Sequence, residues 1–136
     1  DPIEYSTVAV TKTFSDIDWP LIRLGEINLI YAEACMHEGG DASAQVKALT
    51  DRAGVEAPAA ITADWLMAER ARELMWEGHR RTDLIRYGKW ISGYNWTFKG
   101  GTFLGKDLES HFNIFPIPST ELATNLDLEQ NPGYAR

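Results

Sequence analysis

The sequence predicts an all-α fold in which helical hairpins are joined by irregular loops and followed by an extended C-terminal tail. Three observations carry that prediction. Apolar residues recur at helical spacing over 20–54 and again over 62–88, and glycine closes each run. Pro116 and Pro118 interrupt the apolar run at 112–117 and deny it the role of a central strand. The 136 residues, 44% hydrophobic and 24% charged, suit one globular domain with a real core.

Residues 1–18 read as an extended segment, because Tyr5, Thr7, Val8, Val10, Thr11 and Thr13 favour β geometry, yet nothing clearly pairs with them. The first helix is expected over 20–37, with Asp18 as N-cap and Pro20 in the first turn, where a missing N–H is tolerated. Leu24, Ile27, Tyr31 and Ala34 mark one face, with Ile30 and Cys35 beside it. Gly39-Gly40 stops this helix. Asp41 then caps a shorter second helix whose stripe is Ala42, Val46, Leu49 and Ala53, ended by Gly54. Two helices joined by so tight a turn form a helical hairpin.

A loop containing Pro58 leads to a third helix, expected from Thr62 or Asp64 to Glu77, with Leu66, Ala68, Leu74 and Met75 as its apolar surface. Gly78 interrupts it, and residues 80–88 add a further turn or two. The period then dissolves into a Gly- and aromatic-rich loop over 89–111. Ser119 or Thr120 starts a short helix through Leu122, and 125–136 is turn-rich and extended.

Composition excludes several functions. A net charge of -7 argues against a nucleic-acid binder or a polybasic membrane patch. The single cysteine, Cys35, excludes an internal disulfide framework and any multi-Cys zinc site. No apolar run approaches the roughly 20 residues a membrane helix needs. The start, Asp1-Pro2-Ile3-Glu4, carries no secretory-leader pattern.

Three groups of residues are candidates for chemistry. Glu69, Glu73 and Glu77 stand at helical spacing near Arg70, Arg72, Arg80 and Arg81. Paired carboxylates suit glycosidic-bond cleavage, but side chains one turn apart point the same way and meet the required separation only loosely. A salt-bridge network joining Glu69, Arg70, Glu73, Glu77, Arg80, Asp83 and Arg86 is the structural expectation. His37, His79 and His111 form no metal-ligand spacing, and the sequence points to no metal, no cofactor and no nucleophile–base pair. The third group is the aromatic loop. Six of the fifteen aromatic residues fall between Tyr87 and Phe103. Indole and phenol rings stack on the C–H faces of sugars, so Trp90, Tyr94, Trp96 and Phe98 are the candidate glycan contacts, with Asn95 and Lys99 as hydrogen-bond partners. The structural alternative is that these rings anchor a long loop to its own helices.

Three stretches together resemble the SusD/RagB family. Trp19-Pro20-Leu21-Ile22-Arg23-Leu24-Gly25-Glu26, leading into Tyr31-Ala32-Glu33-Ala34, is similar to that family's Ile-Arg and Tyr-Ala-Glu-Ala helix. Glu69-Arg70-Ala71-Arg72-Glu73-Leu74-Met75-Trp76-Glu77-Gly78-His79-Arg80, then Asp83-Leu84-Ile85-Arg86-Tyr87-Gly88-Lys89, resembles its Glu/Arg motif. Phe115-Pro116-Ile117-Pro118, Asn125 and Gln130-Asn131-Pro132-Gly133-Tyr134 look like its closing motif.

The resemblance implies an outer-membrane protein, lipid-anchored on the extracellular face. It would capture oligosaccharide or polysaccharide without cleaving it, and deliver it to a SusC-like TonB-dependent transporter. It also implies a tetratricopeptide-like architecture. The motifs belong to the C-terminal part of a family whose members are several times longer. Residues 1–136 are therefore expected to be a C-terminal portion, and the missing leader says nothing about compartment. Within it, 19–54 would be a tetratricopeptide-like helical pair, 62–88 the Glu/Arg-rich helices, 89–111 the aromatic loop, and 112–136 a tail wrapping back over the helices through apolar contacts. The aromatic loop lies outside the matching motifs, so its candidate contacts rest on the residues alone. Two other readings stand beside this one: a helical protein-interaction module that binds no sugar, and a glycoside hydrolase using Glu73 and Glu77.

Overall fold

The computed structural model describes residues 20–135. Among them are the α-helices α1 (Leu24–Glu38), α2 (Ser43–Ala53), α3 (Ala63–Glu73), α4 (Arg80–Arg86) and α5 (Ser119–Thr124), with two short 3-10 turns. No strand occurs among the described residues, and the fold is all-α. The expected extended segment 1–18 and the Asp18 cap lie outside the described residues. The chain divides between Ala57 and Pro58 into two compact units.

The first unit holds the hairpin of α1 and α2. α1 begins later than expected, at Leu24, because Arg23 is still extended (φ -139°, ψ 158°). It ends where glycine allows: Gly39 takes the left-handed conformation (φ 78°). Gly40 lets the chain pass Cys35 closely, since a Cβ there would lie 2.9 Å from the sulfur. Asp41 does not occupy the cap position itself, which falls to Ala42. Its Oδ1 instead accepts the Ser43 N–H at 2.8 Å and the Ser43 hydroxyl at 2.6 Å. Ala42, Val46 and Leu49 are buried on α2, and Leu29 and Ala32 on α1. Each fully buried leucine contributes about 1.5–3 kcal/mol. Thr50 is buried as well, its hydroxyl satisfied by the Val46 carbonyl.

The face of α1 differs from the expected one. Leu24, Ile27, Ile30 and Tyr31 are exposed, while Leu29 and Ala32 turn inward. Apolar residues ring this helix almost all round, so their spacing cannot select the side that meets α2. On α2 the stripe is as expected through Leu49, but Ala53 is exposed.

In the second unit Thr62 caps α3, its side chain accepting the Trp65 N–H at 3.2 Å. α3 stops at Glu73 rather than Glu77. Leu74 leaves helical geometry, and Trp76 (φ 69°) and Gly78 (φ 81°) are both left-handed. Such a conformation costs a non-glycine residue about 1–2 kcal/mol. The reversal turns the chain into α4, so that Arg70 meets Asp83. The Arg70 Nε donates to both Asp83 oxygens at 2.9 Å, with the two side chains 6% and 4% exposed. Arg86 adds a bond to the same carboxylate at 3.2 Å. Leu66, Met67, Leu74 and Leu84 are the buried apolar residues of α3, α4 and the turn between them.

The tail is held by side-chain amides as well as by ring contacts among His111, Phe112 and Tyr134. Phe112, Ile114, Phe115 and Leu126 are exposed, Leu122 is buried, and Ile117, Leu128 and Tyr134 are half-buried. Pro116 and Pro118 have no N–H to donate, which leaves the backbone around Ile117 without a ladder partner. Gln130 supplies one: its Oε1 accepts the Ile117 N–H at 2.8 Å, and its Nε2 donates to the Ile117 carbonyl at 3.0 Å. Asn131 donates to the Phe115 carbonyl at 2.7 Å, and the Tyr134 hydroxyl to that of Ile114 at 2.7 Å.

Asp83→Asn removes the negative charge that the buried Arg70 guanidinium faces. Asp83→Asn is expected to destabilise the second unit by about 3–5 kcal/mol in chemical denaturation. Asp41 gives a pH signature. The Ser43 side chain and backbone N–H hold its carboxyl below the ordinary carboxylate range. Its stabilisation is therefore complete above the unfolded value and drains as pH falls through the lower, folded one. Circular-dichroism melts should show the hairpin losing stability on acidification, and Asp41→Asn should flatten that part of the profile.

Candidate functional site

Loop 89–111 leaves α4 through Gly88 and takes its shape from its own hydrogen bonds. The Leu108 N–H donates to the Ile91 carbonyl at 3.0 Å, and the Lys106 N–H to that of Lys99 at 3.1 Å. Asn95 Nδ2 donates to the Leu104 carbonyl at 2.8 Å. Gly105 is left-handed (φ 75°) and lies so close to Asn95 and the Trp96 carbonyl that a Cβ would collide with both.

Three of the four candidate contacts come together. Trp90 and Trp96 stack with centroids 5.4 Å apart and planes 29° from parallel. Tyr94 tilts against Trp96 at 6.2 Å. Cations meet all three rings: Arg81 lies 5.4 Å from the Trp90 centroid, Arg80 lies 5.1 Å from Tyr94, and Lys99 lies 5.0 Å from Trp96. Phe98 pairs instead with Phe103, edge to face at 5.6 Å. Phe98 is itself left-handed (φ 68°), a strained conformation for a bulky residue. It is 65% exposed, Phe103 68% and Leu104 82%, so these three form an apolar tip. Phe103 and Leu104 were not among the candidates. The signal for them was the Gly100-Gly101 pair, which folds the chain back there.

Asn95 and Lys99 do not serve as expected. The Asn95 amide is turned to Leu104, and the Lys99 ammonium is buried, donating to the Tyr94 carbonyl at 2.7 Å. Sequence reasoning also missed the reach of Arg81. It donates to the carbonyls of Phe112 and Asn113 at 2.9 and 3.3 Å and lies 3.9 Å from the Phe115 ring. The Trp90 indole N–H donates to the same Phe112 carbonyl at 3.0 Å. Both residues thus tie loop and tail to α4.

The charged candidates fall mostly on α3 and α4. Glu69 pairs with Arg72 inside α3, and Arg80 donates to the Met67 carbonyl at 2.8 Å. Arg70, Asp83 and Arg86 form the buried junction described above. Glu73 is the last residue of α3 and Glu77 lies in the turn beyond it, so the expected row of three glutamates on one helical face does not form. A cavity of about 580 Å³ opens against this turn, lined by Arg70, Leu74, Met75, Trp76, Arg80 and Arg81 among others. None of the four candidate aromatic contacts lines it. His111 rests on Phe112 and Tyr134, with ring centroids 4.3 and 4.7 Å away. Among the described residues no three His, Cys, Asp or Glu side chains gather as a metal site.

The described residues therefore define an all-α scaffold that holds a shaped aromatic loop beside two arginines of α4. The sequence model of the SusD family matches residues 5–134, and the chain belongs to that family. Its sequence is 40% identical over 124 residues to the starch-binding protein SusD of Bacteroides thetaiotaomicron. That match covers 90% of this chain and 22% of that protein.

The close approach at Gly105 makes a direct test of the loop. Gly105→Ala is expected to cost about 1–3 kcal/mol in denaturation. It should also raise the accessibility of the tryptophans to acrylamide, read as fluorescence quenching.

Proposed function

We propose that this chain is the C-terminal portion of a glycan-capture protein, the binding subunit of a polysaccharide-uptake system. The observation that carries the reading is membership of the SusD family, with 40% identity to a protein named for starch binding. On this reading the protein is lipid-anchored at the extracellular face of the outer membrane and delivers oligosaccharide to a SusC-like TonB-dependent transporter. No helix among the described residues is long and apolar enough to cross a membrane. On this reading the protein binds the sugar and does not cleave it, in keeping with its membership of the SusD family.

Within this chain the sugar meets the outer edges of Trp90, Tyr94 and Trp96, and Phe98, paired with Phe103, is a further candidate contact. Rings held by fixed cations present their remaining surface without reordering, which lowers the entropy lost on binding. The Glu/Arg residues act structurally, holding α3 to α4 beneath the loop.

The exposed tip of Phe98, Phe103 and Leu104 favours a second reading, a helical module that docks a protein partner. Titration with a starch-derived maltooligosaccharide separates the two. Saturable quenching of tryptophan fluorescence is expected, weakened about tenfold or more by Trp96→Ala, with no reducing sugar released. A silent titration across a panel of oligosaccharides would overturn the glycan reading for this chain.

A further inference from the structure

Lys99 is a charged residue that the glycan reading does not use. It is 1% exposed, and its side chain is wholly buried. Lysine is almost never buried to that degree unless paired, because an ammonium stripped of water is costly. Its partners are unusual. The Nζ donates to the Tyr94 carbonyl at 2.7 Å and lies 5.0 Å from the Trp96 ring centroid. The nearest carboxylate, Asp107, is 3.9 Å away and 69% exposed, a distant and water-shared counter-ion. The main chain of Lys99 is committed too: its N–H donates to the Trp96 carbonyl and its carbonyl accepts the Lys106 N–H, both at 3.1 Å. One residue thus fastens positions 94, 96 and 106 at once.

We propose that Lys99 is a positioning residue that holds Tyr94 and Trp96 in the geometry a bound sugar meets. The inference rests on the glycan reading of the loop. Two simpler roles fit less well. As a sugar ligand, Lys99 would need an accessible ammonium, and the structure buries it. As a filler of space, methionine or leucine would occupy the site without desolvating a charge. What the ammonium adds is direction. It draws the face of Trp96 toward itself and pins the carbonyl of Tyr94, so both rings flanking residue 95 are aimed from beneath. Trp90, stacked on Trp96, is aimed through it. Gly100 permits this close packing, since a Cβ there would lie 2.7 Å from the Lys106 side chain. The loop is then ordered before the sugar arrives, and the entropy of ordering is charged to folding rather than to binding.

The test compares the wild-type chain with Lys99→Met, which keeps the volume and loses the charge, and Lys99→Arg, which keeps the charge. Two readouts are taken: affinity for a maltooligosaccharide, and the exciton-coupled circular-dichroism band of the Trp90 and Trp96 stack. Retention of the far-UV helical signal controls for unfolding. Lys99→Met is expected to weaken binding about tenfold and diminish the exciton band, while Lys99→Arg restores both. Lys99→Met with band and affinity unchanged would overturn the proposal, and so would lost affinity with an intact band, which would make Lys99 a sugar contact. A wild-type chain that binds no sugar, yet loses its band in Lys99→Met and regains it in Lys99→Arg, would sustain the positioning role and overturn the glycan reading instead.

Discussion

The second unit depends on the buried pair of Arg70 and Asp83. α4 is only seven residues long, too short to be stable alone, and the pair fastens it to α3. A buried ion pair is weak evidence for net stability, because desolvating both charges offsets most of their attraction. Its effect is geometric. Once α4 is fixed against α3, Arg80 and Arg81 are placed where the loop and the tail can use them. Arg80 lies against Tyr94, and Arg81 against Trp90, Phe115 and two tail carbonyls. The loop has little regular structure of its own, so its position follows from that of α4.

The tail shows the same economy in another form. Prolines 116 and 118 remove the donors a strand would use, and side-chain amides take over. Gln130 satisfies both backbone groups of Ile117, as a neighbouring strand would, and Asn131 and Tyr134 take the carbonyls of Phe115 and Ile114 just before it. Gly133 leaves room for His111 where a Cβ would come within 2.6 Å of it. The closing motif that links this chain to its family is therefore a hydrogen-bonded clasp. The Glu/Arg motif is likewise the junction of α3 and α4. Both motifs concern architecture, which is why they say little about where a ligand sits.

Of the two readings the sequence left open for the aromatic loop, the ring contacts carry the anchoring one. The loop's tryptophans are anchors, half-buried and engaged by Arg81, Lys99 and each other. They also keep an exposed side. Anchoring and presentation are compatible, because a ring fixed on one side offers a rigid surface on the other. Asn95 and Lys99 are engaged in the loop's own construction.

Much of this molecule follows from local chemistry and was legible in the sequence. Gly39 and Gly54 end helices because only glycine takes the left-handed turn freely, and Thr62 starts one because its hydroxyl can accept an orphan N–H. Pro116 and Pro118 exclude a strand for want of donors. The order and type of the helices, and membership of the family, rest on such features. Other properties were decided only by the tertiary structure. An apolar α1 does not state which side meets α2. The break at Leu74, with Trp76 left-handed, turns the chain into α4, where Asp83 meets Arg70. Asn95 and Lys99 looked like ligands for a sugar, but the folded loop buries Lys99 and commits the Asn95 amide nitrogen to the Leu104 carbonyl. The physical reason is the same in each case. A glycine or a proline acts through its own backbone, whereas a charge, an amide or an apolar face has no fixed role until the fold brings it a partner.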